Sequence, residues 1–159
     1  MGYFTKTRAA SAWGMVRPLT REAVTAVLDD WDASYGIDDD GDVGGSWDGH
    51  MFIFMVRGDQ DQKVLAVRGR WARDVTPDRR DDVRALLDTW HHETLWPKTY
   101  TQLHDDTLAV YTEFNVPCTG GVTLTQLNGY LRCALATSIQ VFDHLAEHLP
   151  ADDHGSGDA

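Results

Sequence analysis

Between Arg68 and Tyr100 an apolar strand, a helix with clear boundaries and a second strand follow one another directly, an order that restricts the chain to a mixed α+β fold. Arg68-Gly69-Arg70-Trp71 ends the first strand, and Thr76-Pro77 marks the helix start. Leu95-Trp96-Pro97-Lys98 stops the helix, because the residue before a proline is driven out of helical geometry. Val83, Leu86, Leu87 and Trp90 give this helix its apolar stripe. Upstream, residues 44–47, 50–57 and 63–71 read as strands, separated by turns at Asp48-Gly49 and residues 58–61. Downstream, residues 99–104 and 108–116 read as two more, joined at Asp105-Asp106. In the third strand Val64, Ala66, Arg68 and Arg70 share one face, while Leu65, Val67, Gly69 and Trp71 share the core face. The unbroken apolar run 51–56 predicts a central strand covered on both faces.

Two further helices frame this unit. Thr20 stands as an N-cap with Leu19 and Val24 at staple spacing; Val24, Val27, Leu28, Trp31 and Tyr35 continue at helical spacing, closing near Gly36. Near the other end, Thr123 with Gln126 has capping-box spacing and Val122 with Leu127 staple spacing, so two local devices agree on one helix start. From 123 to 142 the only charged side chain is Arg132. A helix wet on one side carries charge there, whereas Thr125, Asn128, Gly129, Ala136, Ile139 and Gln140 are nearly neutral. This predicts cover on both sides, by the sheet and by a second surface, which is either another protein or the chain's own first helix or N-terminal arm. The expected fold is an antiparallel sheet of about five strands with three helices packed on it, in the order α-β-β-β-α-β-β-α. Residues 1–16 read as a basic N-terminal arm, 17–150 as the domain, and 151–159 as an acidic, flexible tail.

At 159 residues, 42% of them apolar, the chain suffices for one well-buried core. Its formal net charge of −11 repels phosphate backbones and makes nucleic acid a poor partner. The arginines between Arg68 and Arg84 alternate with Asp74, Asp78, Asp81 and Asp82, as on a solvated face. Cys118 and Cys133 are too few for a disulfide framework and read as reduced thiols. No apolar run approaches the ~20 residues of a membrane span, and no apolar leader follows Lys6 and Arg8, so the expected compartment is the cytoplasm, away from the membrane.

Catalytic constellations are sparse. Asp38-Asp39-Asp40-Gly41-Asp42 has the composition of a calcium loop, but with Gly41 at its sixth position the twelfth falls on Trp47, where a bidentate Glu is required. It reads as an acidic turn. His144, Glu147 and His148 match an inverted zinc-protease motif, giving a metal-dependent hydrolase as the alternative function, although a third ligand further downstream is missing from the pattern. His91-His92-Glu93 suits the last turn of a helix. No phosphate loop, Cys-x-x-Cys pair or nucleophile elbow occurs, so no cofactor and no catalytic residue is expected.

Arg17-Pro18-Leu19-Thr20, the segment 44–47, Val67-Arg68-Gly69-Arg70-Trp71 and Leu95-Trp96-Pro97-Lys98 resemble, in order and spacing, the YbjN-like domain family in its actinobacterial form. Glu113 with Asn115, Gly121-Val122-Thr123 and Gln126-Leu127 complete the resemblance. It implies a fold similar to the type III secretion chaperones, often dimeric, under the descriptive label of sensory transduction regulator, and it implies no catalytic residues. The expected function is a non-enzymatic protein-binding module, a homodimer holding a protein partner through Arg68, Arg70, Trp96, Asn128, Arg132 and Ile139. A small-molecule pocket under Trp47 and Trp71 is a third reading.

Overall fold

The computed structural model of the protein describes residues 10–59 and 62–149. The bulk of the predicted arm and the acidic tail, residues 1–9 and 151–159, lie outside the described residues. The element order is α1 (Ala10–Gly14), α2 (Arg21–Asp30), β1 (Gly36–Ile37), β2 (Val43–Trp47), β3 (His50–Arg57), β4 (Val64–Arg70), α3 (Arg80–Glu93), β5 (Lys98–His104), β6 (Thr107–Pro117) and α4 (Leu124–His148). The strands form one antiparallel sheet of six in the order β1-β2-β3-β4-β6-β5. The α+β class and antiparallel sheet stand as the sequence predicts, with two small elements added, the two-residue β1 and the one-turn-long α1.

Local chemistry explains most boundaries. The Thr20 side chain accepts from the Ala23 N–H and starts α2. The helix closes earlier than the Trp31–Tyr35 stripe predicts, because Asp32 takes a left-handed φ of 55°. The Asp32 N–H then bonds to the Asp29 carbonyl and the Ala33 N–H to that of Leu28, a Schellman arrangement that turns the chain into β1. Pro77–Arg79 is a 3₁₀ turn ahead of α3, and Thr76 makes no side-chain cap there. Asp48 and Gly49, with φ of 51° and 80°, form the two-residue loop between β2 and β3. In the acidic turn, Asp38 accepts from the Asp42 N–H, and Arg57 grips both Asp42 carboxylate oxygens at 2.9 and 2.6 Å. These carboxylates hold a hairpin together.

All helices lie on one side of the sheet. Phe52, Phe54, Leu65, Val67, Val110 and Phe114 turn to that side and meet Val24, Val27 and Leu28 of α2 and Leu127, Leu131, Ala134, Val141 and Phe142 of α4, all buried. The α4 start carries the full predicted capping box, Gln126 N–H to Thr123 Oγ1 and Thr123 N–H to Gln126 Oε1. Where α4 crosses the sheet, buried Thr112 donates to buried Ser138 at 2.8 Å. Beneath this bond lies Gly69, aligned with Phe52 on one neighbouring strand and Thr112 on the other. A Cβ at Gly69 would sit 2.5 Å from Thr112 Oγ1 and 2.7 Å from the Phe52 ring. A second tight joint closes the N-terminal end, where Arg17 and Val122 exchange backbone hydrogen bonds beside Gly121, whose φ is 106°. This bridge joins two segments of the sequence pattern quoted above.

Replacing Gly69 by Ala therefore forces Phe52 or Thr112 aside in a packed core, and unfolding in urea is expected to show a loss of about 1–3 kcal/mol with an unchanged slope. A variant as stable as the parent refutes the tight packing of Phe52 and Thr112 over Gly69.

Candidate functional site

With every helix on one side, the opposite side of the sheet carries none, and residues 51–56, expected to be covered on both faces, are covered there only in part, Met55 being buried and Met51 open. Met51 on that side is 52% exposed and Ile53, on the same strand face, is half-buried. The reason is connectivity: antiparallel hairpins link β1 through β4, so no crossover helix is carried to the second face. Ile37, Gly44, Ser46, Met51 and Ile53 line a shallow apolar groove of about 400 Å³ at this end.

The other half of the open face is built by register. Ile53 pairs with Arg68, Arg68 with Glu113, and Glu113 with Lys98, giving one row across four strands. The neighbouring row runs Met51, Arg70, Tyr111, Tyr100. Glu113 accepts from Lys98 Nζ at 3.0 Å, and its second oxygen lies 3.6 Å from an Arg68 nitrogen. The Lys98 hydrogen bond, followed by the charges of Lys98 and Arg68, outweighs partial burial and holds the Glu113 carboxyl below its ordinary value. Tyr100 and Tyr111 stack at 5.3 Å, Lys98 stands over the Tyr100 ring, and the Tyr111 hydroxyl meets His104 Nε2 at 3.0 Å. Arg70 is paired with Asp74. The Arg68 Nε is buried without a hydrogen-bond partner among the described residues, while its side chain as a whole is 40% exposed.

The six residues predicted to bind a partner do not form one patch. Arg68 and Arg70 lie on the open face, whereas Asn128, Arg132 and Ile139 lie on α4, beyond the opposite side of the sheet. Trp96 stands between α3 and β5 with its ring 5.7 Å from Phe114, on the helix side. The chain itself covers part of α4. Asn128 accepts from the Trp31 indole N–H at 2.8 Å, Arg132 lies 4.8 Å over the Trp31 ring, and Ile139 packs partly against the core. At the start of α4, Thr125 donates to the Trp13 carbonyl of α1, and Trp13 packs on the core. Glu113, Lys98, Tyr100 and Tyr111 went unselected as site residues; the signal was the strand alternation of 107–117, which sets Glu113 and Tyr111 on one face.

At the histidine motif the His144 and His148 rings stand 4.5 Å apart. The His148 Nδ1–H donates to the His144 carbonyl, the His144 ring packs 5.7 Å from Trp90, and its Nε2 is buried without a hydrogen-bond partner. Among the described residues no three His, Cys, Asp or Glu side chains converge as a metal would require. Burial raises the thiol pKa values of Cys118 and Cys133, away from the thiolate a nucleophile needs. Among the described residues no helix is long and apolar enough to cross a membrane.

A one-sided antiparallel sheet clad by helices, with its other face part apolar and part charged, defines an α+β domain. The model of the YbjN family, described as "Putative bacterial sensory transduction regulator", matches residues 20–147, and the chain belongs to that family. Among solved structures, "YbjN, a putative transcription regulator from E. coli" superposes with a TM-score of 0.63 at 16% identity, covering 84% of this chain and 96% of that one, a likeness of fold. No curated protein matches the chain.

Glu113 is ionised and paired in the folded state, so its contribution to stability is full above its unfolded value near 4.5 and is lost as the pH falls below it. Glu113→Gln is expected to cost about 1 kcal/mol at pH 7, discounted for the exposure of Lys98, with the gap to the parent narrowing as the pH falls below 4.5 in urea titrations. A gap independent of pH contradicts the pairing.

Proposed function

We propose that the protein is a non-enzymatic regulatory adapter of the cytoplasm that holds a protein partner on the open face of its sheet. One observation carries the reading. The helix-free face sets exposed Met51 and half-buried Ile53 beside the part-exposed Arg68 and the Tyr100–Tyr111 stack. An exposed apolar patch rimmed by donors is the anatomy of a protein contact. Its chemistry suits a segment that places aliphatic side chains over Met51 and Ile53 and a carboxylate over Arg68 and Lys98. The family description supports a regulatory rather than a catalytic role. A second copy of the chain is the competing occupant.

The full chain, immobilised and exposed to extract of its native cell, is expected to retain a saturable partner. Met51→Glu, which places a carboxylate on the apolar end, should lower that retention about tenfold or more, as loss of an anchor contact does. Arg80→Glu on α3 should leave it unchanged. Equal capture by Met51→Glu and the parent refutes the assignment, and a concentration-dependent dimer abolished by Met51→Glu in sedimentation assigns the face to a second copy instead.

A further inference from the structure

The helix side of the molecule keeps one aromatic surface that the core does not consume. Between α2, the end of β2 and α4 runs a shallow groove of about 620 Å³ whose walls are Trp31, Trp47, Ala136 and Ile139, with Asp30 and Arg132 at the rim. Both indoles are half-buried, fixed by the Trp31–Asn128 hydrogen bond and by edge contacts of Trp47 with Phe52 and Phe54. The α4 surface leading to it is uncharged apart from Arg132, and a Cβ at Gly129 would meet nothing within 4 Å. Small neutral residues over two turns let another backbone lie close.

We infer that this groove receives the Tyr3-Phe4 dipeptide of the chain's own N-terminal segment. Residues 1–9 precede α1, and α1 is held at the start of α4 through the Trp13–Thr125 bond. From Thr125 to Ile139 is 14 residues of helix, about 21 Å at 1.5 Å per residue. Phe4 lies six residues before Ala10, a reach of about 20 Å when extended, which matches the distance along α4 to the groove. Charge points the same way. The segment carries Lys6 and Arg8 and no acidic residue. The end of α2 beside the groove carries Asp29, Asp30 and Asp32, where the helix dipole adds further negative potential. Aromatic side chains set against Trp31 and Trp47 gain burial and edge contacts together. The missing charge on α4 then has an intramolecular cause, independent of any partner on the sheet's open face.

A disulfide trap in the full chain tests this. In a Cys133→Ser background, Phe4→Cys is combined either with Ala136→Cys in the groove or with Gln102→Cys on the open sheet face. Docking predicts an intrachain bridge for the 4–136 pair forming about tenfold or more faster than for the 4–102 pair, the excess in effective concentration that a seated segment has over a tethered one. Tyr3→Ser with Phe4→Ser is expected to shift the indole N–H resonances of Trp31 and Trp47 while leaving the far-UV circular dichroism intact. Comparable rates for the two pairs, or unmoved indole resonances, overturn the inference. A bridge forming only between two chains overturns it in favour of a second copy.

Discussion

The close approach of α4 to the sheet over Gly69 is the contact on which the remaining architecture depends. A side chain at that position would meet Phe52 and Thr112 at overlapping distances, and Thr112 could no longer reach Ser138 at 2.8 Å. The bond satisfies two hydroxyls in the deepest part of the core, where an unpaired one is costly. With α4 seated there, Leu127, Leu131, Ala134, Val141, Phe142 and Leu145 are all fully buried, and α2 and α3 pack along its flanks.

One consequence is asymmetry. Helices seated on a single side leave the second side of a six-stranded sheet to solvent or to a partner, and the residues there are not a generic polar surface. A row of alternating charge, Arg68, Glu113 and Lys98, crosses three strands and meets an aliphatic patch at Ile53 and Met51. Contacts with Lys98 at 3.0 Å and Arg68 at 3.6 Å commit the Glu113 charge to that row. His148 and His91 are, by contrast, absorbed by local contacts, His148 by a carbonyl one turn back and His91 by the Thr99 hydroxyl at 2.8 Å.

Local patterns in the chain were readable where a few neighbouring residues decide the outcome. The capping box of Thr123 and Gln126, the Asp48-Gly49 loop and the core-facing alternation Leu65, Val67, Gly69, Trp71 are all set within four or five positions. Legibility failed where distant segments decide. Tyr35 continues the helical spacing of Val24, Val27 and Leu28, but Asp32 turns left-handed and the next residues pair with β2 instead. The run Met51 to Val56 is apolar on both faces, and only the hairpin connectivity leaves Met51 and Ile53 open. Asn128 and Arg132 looked outward on α4 until Trp31, 97 positions from Asn128, closed over them.

By itself, the sequence determined most elements of this protein: the capped helix starts, the apolar alternation of the strands, and that α4 carries no charge but Arg132 as far as Phe142. These follow from interactions between residues a few positions apart, which any fold must honour. The tertiary structure alone decided that Arg68, Glu113 and Lys98 form one row, that the site residues read from the sequence divide between opposite sides of the sheet, and that a tryptophan groove remains beside α4. Those outcomes depend on strand register and on the side each helix takes, and both are fixed by contacts between segments far apart in the chain.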